Sequence, residues 1–321
     1  MKKNDGAKAV APLKISVGLS AVVLAVTGEE PKVLTISAER QDHALPSGPL
    51  EPRHRTLETG LRAWVEAQTN QKLGYVEQLY TFGDRYRDPG GSDLRSLSIG
   101  YLALVQEAGD AGVAEWRDWY RYFPWEDWRG GRPDVVNKIL ARLRKWAQGA
   151  SSPGEKKLRE ARVRRTFGAS QLPWDDEPVL ERYELLYEAR LVPEAHRDRG
   201  AKEPWPMDVI AEGDPMIADH RRILATAISR LRGKIKYRPV VFELMPPTFP
   251  LGQLQATVEA LAGVRLHKPN FRRLVEGLGL VEETGQTTSN TGGRPARLVQ
   301  FRREVLIERL APGLRLPIAK L

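Results

Sequence analysis

Lys268-Pro269-Asn270-Phe271-Arg272-Arg273-Leu274-Val275-Glu276-Gly277 decides how the last third of this chain reads. At about 100° per residue, Phe271, Leu274, Val275 and Leu278 gather on one side of a helix. Arg273 points away from them, flanked by Pro269, Arg272 and Glu276, with Asn270 at the edge. Pro269 falls in the first turn, where its missing N–H costs nothing, and Gly277 and Gly279 suit a helix end. Upstream, Leu251 to Leu261 is amphipathic through Leu254, Val258 and Leu261, and Gly263 to His267 forms a short turn. Met245 to Pro250 is an extended, proline-rich approach. Downstream, Leu280 to Glu283 and Arg297 to Phe301 read as strands around a tip from Gly285 to Pro295. Helix, turn, helix and hairpin together make a winged helix.

Such a module reads DNA through its second helix. An arginine centred on the outer face can pair bidentately with guanine O6 and N7, so Arg273, with Arg272 and Asn270 beside it, is the candidate reader. Arg265 and Lys268 would meet phosphate. Gly292-Gly293-Arg294-Pro295 places Arg294 on a thin loop suited to a minor groove, and Arg297 follows it on the wing. Charge agrees with this. Residues 220–321 hold 18 Lys and Arg against 7 Asp and Glu, a net +11, whereas the first 219 residues hold 32 against 34, a net −2. The overall +9 therefore sits on one module, the pattern of a polyanion binder.

A length of 321 residues and an apolar fraction of 41% support two ordinary globular domains. Cysteine is absent, which excludes disulfides and thiolate metal sites. Ile15, Val17, Leu19 and Ala21 alternate with Ser16, Gly18 and Ser20, so the start of the chain reads as a strand rather than a secretory leader, with residues 1–12 a loose tail. No apolar run approaches the ~20 residues that span a bilayer.

In the first half, Leu45-Pro46-Ser47-Gly48-Pro49-Leu50 leads to Thr56-Leu57-Glu58, a helix over Leu61 to Gln68, and a strand over Tyr75 to Phe82. Ile15 to Val26, Lys32 to Ser37 and Ser96 to Val105 are further strands. Residues 106–198 read as an insertion. Its Trp116–Trp128 stretch holds four of eight tryptophans and is expected to pack a helical layer onto the sheet. Helices are expected over Asp134–Trp146, with Asp134 as N-cap, and over Leu180–Ala189, with a surface loop over 149–158. A helix over 219–235, capped by Asp219, is expected to join the halves.

The turn, helix and strand resemble the Nudix fold. Glu77-Gln78-Leu79-Tyr80-Thr81-Phe82-Gly83-Asp84 together with Asn270-Phe271-Arg272-Arg273, Gly279-Leu280, Glu282-Glu283-Thr284-Gly285 and Gly292-Gly293-Arg294-Pro295-Ala296 resemble the Nudix-related repressors of NAD metabolism called NrtR, over roughly residues 13–105 and 216–303. The tryptophan-rich insertion looks like the alphaproteobacterial NadQ branch. The expected fold class is α+β: a Nudix-like mixed-sheet domain over 13–215 with a helical segment inserted at 106–198, then a linker helix and winged helix over 216–321.

The resemblance implies a cytoplasmic, nucleoid-associated homodimer on a palindromic double-stranded DNA operator of NAD biosynthesis or salvage genes. It also implies no cofactor, and release by an adenine nucleotide effector, ATP or ADP-ribose. Candidate effector contacts are Gly48 and Phe82 at the cleft walls and Arg40, Arg85 and Arg87 on phosphate. A Nudix hydrolase needs clustered carboxylates to hold divalent metal. Here Ala63, Trp64, Ala67 and Gln68 stand in their places and Asn70 replaces the second glycine. A one-place slip would supply Glu66 alone. No catalytic residue is therefore expected. The competing readings are an active Nudix pyrophosphohydrolase with a nucleic-acid-binding module, and a scaffold whose basic module binds protein or RNA.

Overall fold

A computed structural model describes residues 14–38, 43–83, 94–106, 111–168, 174–200, 213–288 and 295–306. The spine is β1 (Lys14–Thr27), which is apolar without a break from Ala21 to Val26. One edge runs parallel to β6 (Leu94–Leu104). The other pairs antiparallel with β4 (Ser47–Pro49) at Gly18 to Ser20 and with β2 (Glu30–Ser37) at Leu24 to Thr27. β5 (Tyr75–Phe82) lies antiparallel to β6, while β3 (His43–Ala44) and β7 (Ala114–Asp118) lie antiparallel to β2. The result is a seven-stranded mixed sheet ordered β3-β2-β1-β6-β5 along its main path.

Both faces of this sheet are covered, which is why the middle of β1 loses its alternation. Leu19, Ala21, Val23 and Ala25 meet Leu61 and Val65 of α1 (Leu57–Thr69). Val22 and Leu24 face the opposite layer, where Ile223, Ala227 and Leu231 of α6 (His220–Tyr237) lie. α1 starts four residues before the expected helix because Thr56 and Thr59 form a reciprocal capping box. It ends at Asn70 in the left-handed region, φ 54°.

α6 is more than the expected linker. Ile223 and the Phe82 ring close over Gly100, so this helix forms a layer of the N-terminal unit. Asp219 holds the N-cap position without a capping bond.

The insertion adds β7, two short 3₁₀ turns at Trp119–Arg121 and Pro124–Glu126, α2 (Asp134–Gln148), α3 (Pro153–Phe167), α4 (Val179–Glu188) and α5 (Pro193–Arg197). The tryptophan-rich stretch does pack a layer onto the sheet, but through a strand and 3₁₀ turns rather than a helix. Trp119 and Trp125 are fully buried. Residues 149–158 are not the expected loop, because α3 begins at Pro153 behind a Ser152 cap that accepts from the Glu155 N–H at 3.2 Å. α3 buries only Val163 and Phe167, so it has no apolar stripe to announce it. Pro133, not Asp134, holds the N-cap of α2, with no side-chain cap.

The C-terminal unit matches the sequence closely. A 3₁₀ turn at Val240–Leu244 precedes β8 (Thr248–Pro250), α7 (Leu251–Ala262), α8 (Lys268–Gly277), β9 (Val281–Thr288) and β10 (Ala296–Phe301). β10 takes β8 on one side and β9 on the other. Leu254, Val258, Leu261, Phe271 and Val275 form its core, and Phe242 stacks on Phe301 at 4.2 Å. Gly279, at φ +60°, makes the left-handed exit from α8. Among the described residues no helix is long and apolar enough to cross a membrane.

Candidate DNA-binding face and effector region

Burying Phe271 and Val275 forces the rest of α8 outward. Lys268, Asn270, Arg272 and Arg273 are all exposed. Arg272 makes one solvent-facing pair with Glu276 at 3.3 Å, one turn on. Such pairs are weak and readily exchanged for phosphate. Arg297 is exposed on β10, across the wing from Glu283 at 2.8 Å. Lys268, Arg272 and Arg297 line the groove between α8 and the wing. Arg294 lies outside the described residues.

The Arg265 guanidinium bridges Glu259 of α7 at 2.8 Å and Glu29, in the β1–β2 turn, at 2.7 Å. These pairs link the winged helix to the N-terminal sheet, while the Arg265 side chain stays half exposed. Nothing local to Arg265 points to Glu29, more than 230 positions earlier.

Three further bonds explain how the two units meet. The last carbonyls of a helix lack partners within it. At the end of α7, Tyr120 Oη donates to Ala260 O at 2.8 Å, Arg232 Nε to Leu261 O at 2.9 Å, and the Trp128 N–H to Gly263 O at 2.7 Å. The insertion and α6 thus cap the helix that precedes α8. Gly263 sits at φ +72°, and a Cβ there would collide with the Glu126 carbonyl. Behind this cap lies a buried ionic cluster. Glu126 accepts from Arg182 Nη2 at 2.8 Å and from Arg232 Nη1 at 2.7 Å. All three side chains are at most 1% exposed. Burial pushes the Tyr120 hydroxyl beside them up to about 12. No sequence signal marked this cluster, because its members are scattered singly from 126 to 232.

The effector region is rearranged relative to expectation. Trp64 lies flat against Gly48, where a Cβ would overlap its ring, and donates Nε1–H to Pro49 O at 2.9 Å. Gln68, one turn on, closes two bonds with the Ser47 backbone, at 2.9 and 3.0 Å. Two positions that would carry metal-holding carboxylates instead lace α1 to the β4 turn. Among the described residues no group of His, Asp and Glu could hold a metal ion; Trp64 offers no oxygen ligand, and the Gln68 amide oxygen is taken up by the Ser47 N–H. Phe82 is buried on the α6 face, against Gly100, while Gly48 faces α1 two strands beyond β6. The structure does not bring this expected pair into one cleft. Arg40, Arg85 and Arg87 lie outside the described residues.

Residues 241–301 match the model for the NrtR DNA-binding winged helix domain. A curated relative, the ADPR responsive transcriptional repressor NtrR of Acinetobacter baylyi, is 42% identical over 83 residues. That stretch is 26% of this chain and spans 33% of the relative's length. Among solved structures, Shewanella oneidensis NrtR complexed with a 27mer DNA aligns at a TM-score of 0.53 and 19% identity, covering 89% of this chain and 93% of that one. A MutT/nudix family protein from Enterococcus faecalis aligns at 0.53 and 17% identity, covering 92% and 90%. The chain therefore has a Nudix-like mixed-sheet domain followed by a winged helix of the NrtR type.

Proposed function

We propose that this protein is a transcriptional repressor of NAD biosynthesis or salvage genes. In this reading it binds a palindromic operator as a homodimer at the nucleoid and is released by an adenine nucleotide. The observation that carries the reading is the exposed face of α8. Lys268, Asn270, Arg272 and Arg273 stand together on the second helix of an NrtR-type winged helix. One such helix reads only a half-site, so a second copy must supply the other. ADP-ribose is the effector favoured by the name of the Acinetobacter relative, and ATP by the resemblance of the insertion to the NadQ branch.

The Nudix-like domain acts here as a sensor without hydrolase activity. Trp64 and Gln68 use their side chains on the Pro49 and Ser47 backbone, which leaves that face of α1 without carboxylates to bind magnesium. The test is selection of bound duplexes from a random library, followed by titration of ATP and ADP-ribose into the complex. Recovery of a palindrome whose complex dissociates with one of the nucleotides supports the reading. Binding of RNA in preference to duplex DNA refutes it. Magnesium-dependent turnover of either nucleotide refutes the sensor assignment alone.

A further inference from the structure

We propose that the groove between α2 and α3 is a nucleotide site, with a planar ring on Trp128 and phosphates on Arg132, Arg144 and Arg164. This deepens the repressor reading by locating its effector, and it rests on that reading only for the consequence at α8.

The groove encloses about 900 Å³, within the ordinary range for small-molecule sites. Three arginines line it, one from the turn before α2 and one from each helix, with Glu160 as the one lining acid. All three arginines are exposed, and none bonds a described residue. Their neighbours behave differently. Arg129 pairs with Asp127, Arg159 with Glu155, Arg162 with Glu188 and Arg182 with Glu126. Three like charges gathered in a concavity with a single acid, Glu160, raise each other's energy, and an anion relieves them. Arginine forks suit phosphate oxygens in particular.

The aromatic wall supplies the other half of the chemistry. Arg182 lies over the Trp174 ring at 3.9 Å, and Trp128 stacks on Trp174 at 4.3 Å and 24°. Both close approaches to one ring require opposite faces, so the order is Arg182, Trp174, Trp128. Arg182 and Trp174 are buried, while Trp128 is partly exposed and lines the groove. A planar base continues that stack. The Trp174 indole N–H is buried without a partner among the described residues, and the Asn137 amide also lines the groove. A stacked ring beside several phosphate-binding arginines describes a nucleoside di- or polyphosphate.

Trp128 also connects this groove to DNA. Its ring lines the site, and its backbone N–H holds Gly263 O at the α7–α8 link. A ligand that draws Trp128 toward itself therefore loosens the cap that sets α8.

The test is calorimetry of the full chain with ATP, ADP-ribose and inorganic pyrophosphate, on wild type and on Arg144→Ala/Arg164→Ala. These surface changes leave the core intact, which thermal melts verify. At least one nucleotide is expected to bind wild type more tightly than pyrophosphate, and the double variant to bind it about tenfold or more weakly. Undiminished nucleotide affinity in the double variant overturns the proposal, as does the absence of nucleotide binding to wild type. Pyrophosphate binding as well as nucleotide overturns the stacking role. DNA affinity without nucleotide, measured on the same samples, reports the repressor reading separately.

Discussion

Glu126→Gln should be among the most damaging isosteric changes in this protein. The substitution keeps the shape of the side chain and removes its charge from between Arg182 and Arg232, both fully buried. Arg182 also donates to the Thr166 and Asp175 carbonyls, and Arg232 to Leu261 and Asp176. Neither can swing out to water without abandoning those bonds. Arg182 would then remain buried with only carbonyl dipoles as hydrogen-bond partners, and Arg232 with carbonyls, the Tyr120 hydroxyl and the field of the Asp176 carboxylate. Breaking a buried ion pair from one side costs about 3–5 kcal/mol. That is a large part of the roughly 5–15 kcal/mol that holds a folded domain together. Because Arg232 caps Leu261, the loss should also loosen α7. Urea unfolding followed by circular dichroism, read from the midpoint at constant slope, measures the cost. Replacing all three residues together by apolar ones of similar volume should recover most of it, since such clusters contribute little net stability over good packing. A cost for Glu126→Gln below about 1 kcal/mol would refute the argument, because an exposed pair contributes only that much.

Two other outcomes follow from the same junction. Gly263→Ala puts a Cβ against the Glu126 carbonyl at φ +72°, so it should lower the melting temperature and weaken DNA binding together; a variant that melts like wild type contradicts the tight junction. Burial pushes Tyr120 and Tyr122 up to about 12 from an ordinary 10. The unfolded chain releases those protons near pH 10 while the folded chain keeps them, so stability is intact below pH 10 and falls as pH rises toward 12. For buried Tyr120 the loss is on the order of 2–3 kcal/mol; melts at pH 9 and 11 that are shifted less in Tyr120→Phe than in wild type would bear this out, and equal shifts would not.

The winged helix was legible because its signals are local. The helical period through Phe271 and Val275, Pro269 in the first turn and Gly279 at the exit each act within a few residues. β1 was legible for the same reason, through its alternation and then its unbroken apolar run. α3 was missed because it buries only two side chains, and Ser152-Pro153-Gly154-Glu155 reads equally as a loop or as a capped start. The role of α6 depended on Gly100 and Phe82, more than a hundred positions away. The sites divide in the same way. The outward side of α8 follows from what it must bury, so Lys268, Asn270, Arg272 and Arg273 stand where expected. The pairing of Arg265 with Glu29 was not legible, because that partner lies far away in sequence. The pairing of Gly48 with Phe82 failed because adjacency of turns in sequence does not reveal which face of a sheet each side chain occupies.

The central claim is that the outward face of α8 reads DNA. Its most direct test is fluorescence anisotropy on a selected duplex across a salt series, for wild type, Arg273→Ala and Lys268→Ala. The account predicts that Arg273→Ala loses about 1–3 kcal/mol on the preferred site and much less on unrelated duplexes. It predicts that Lys268→Ala weakens binding to every sequence alike and flattens the salt dependence. Affinities and salt slopes that match wild type for both variants would contradict it.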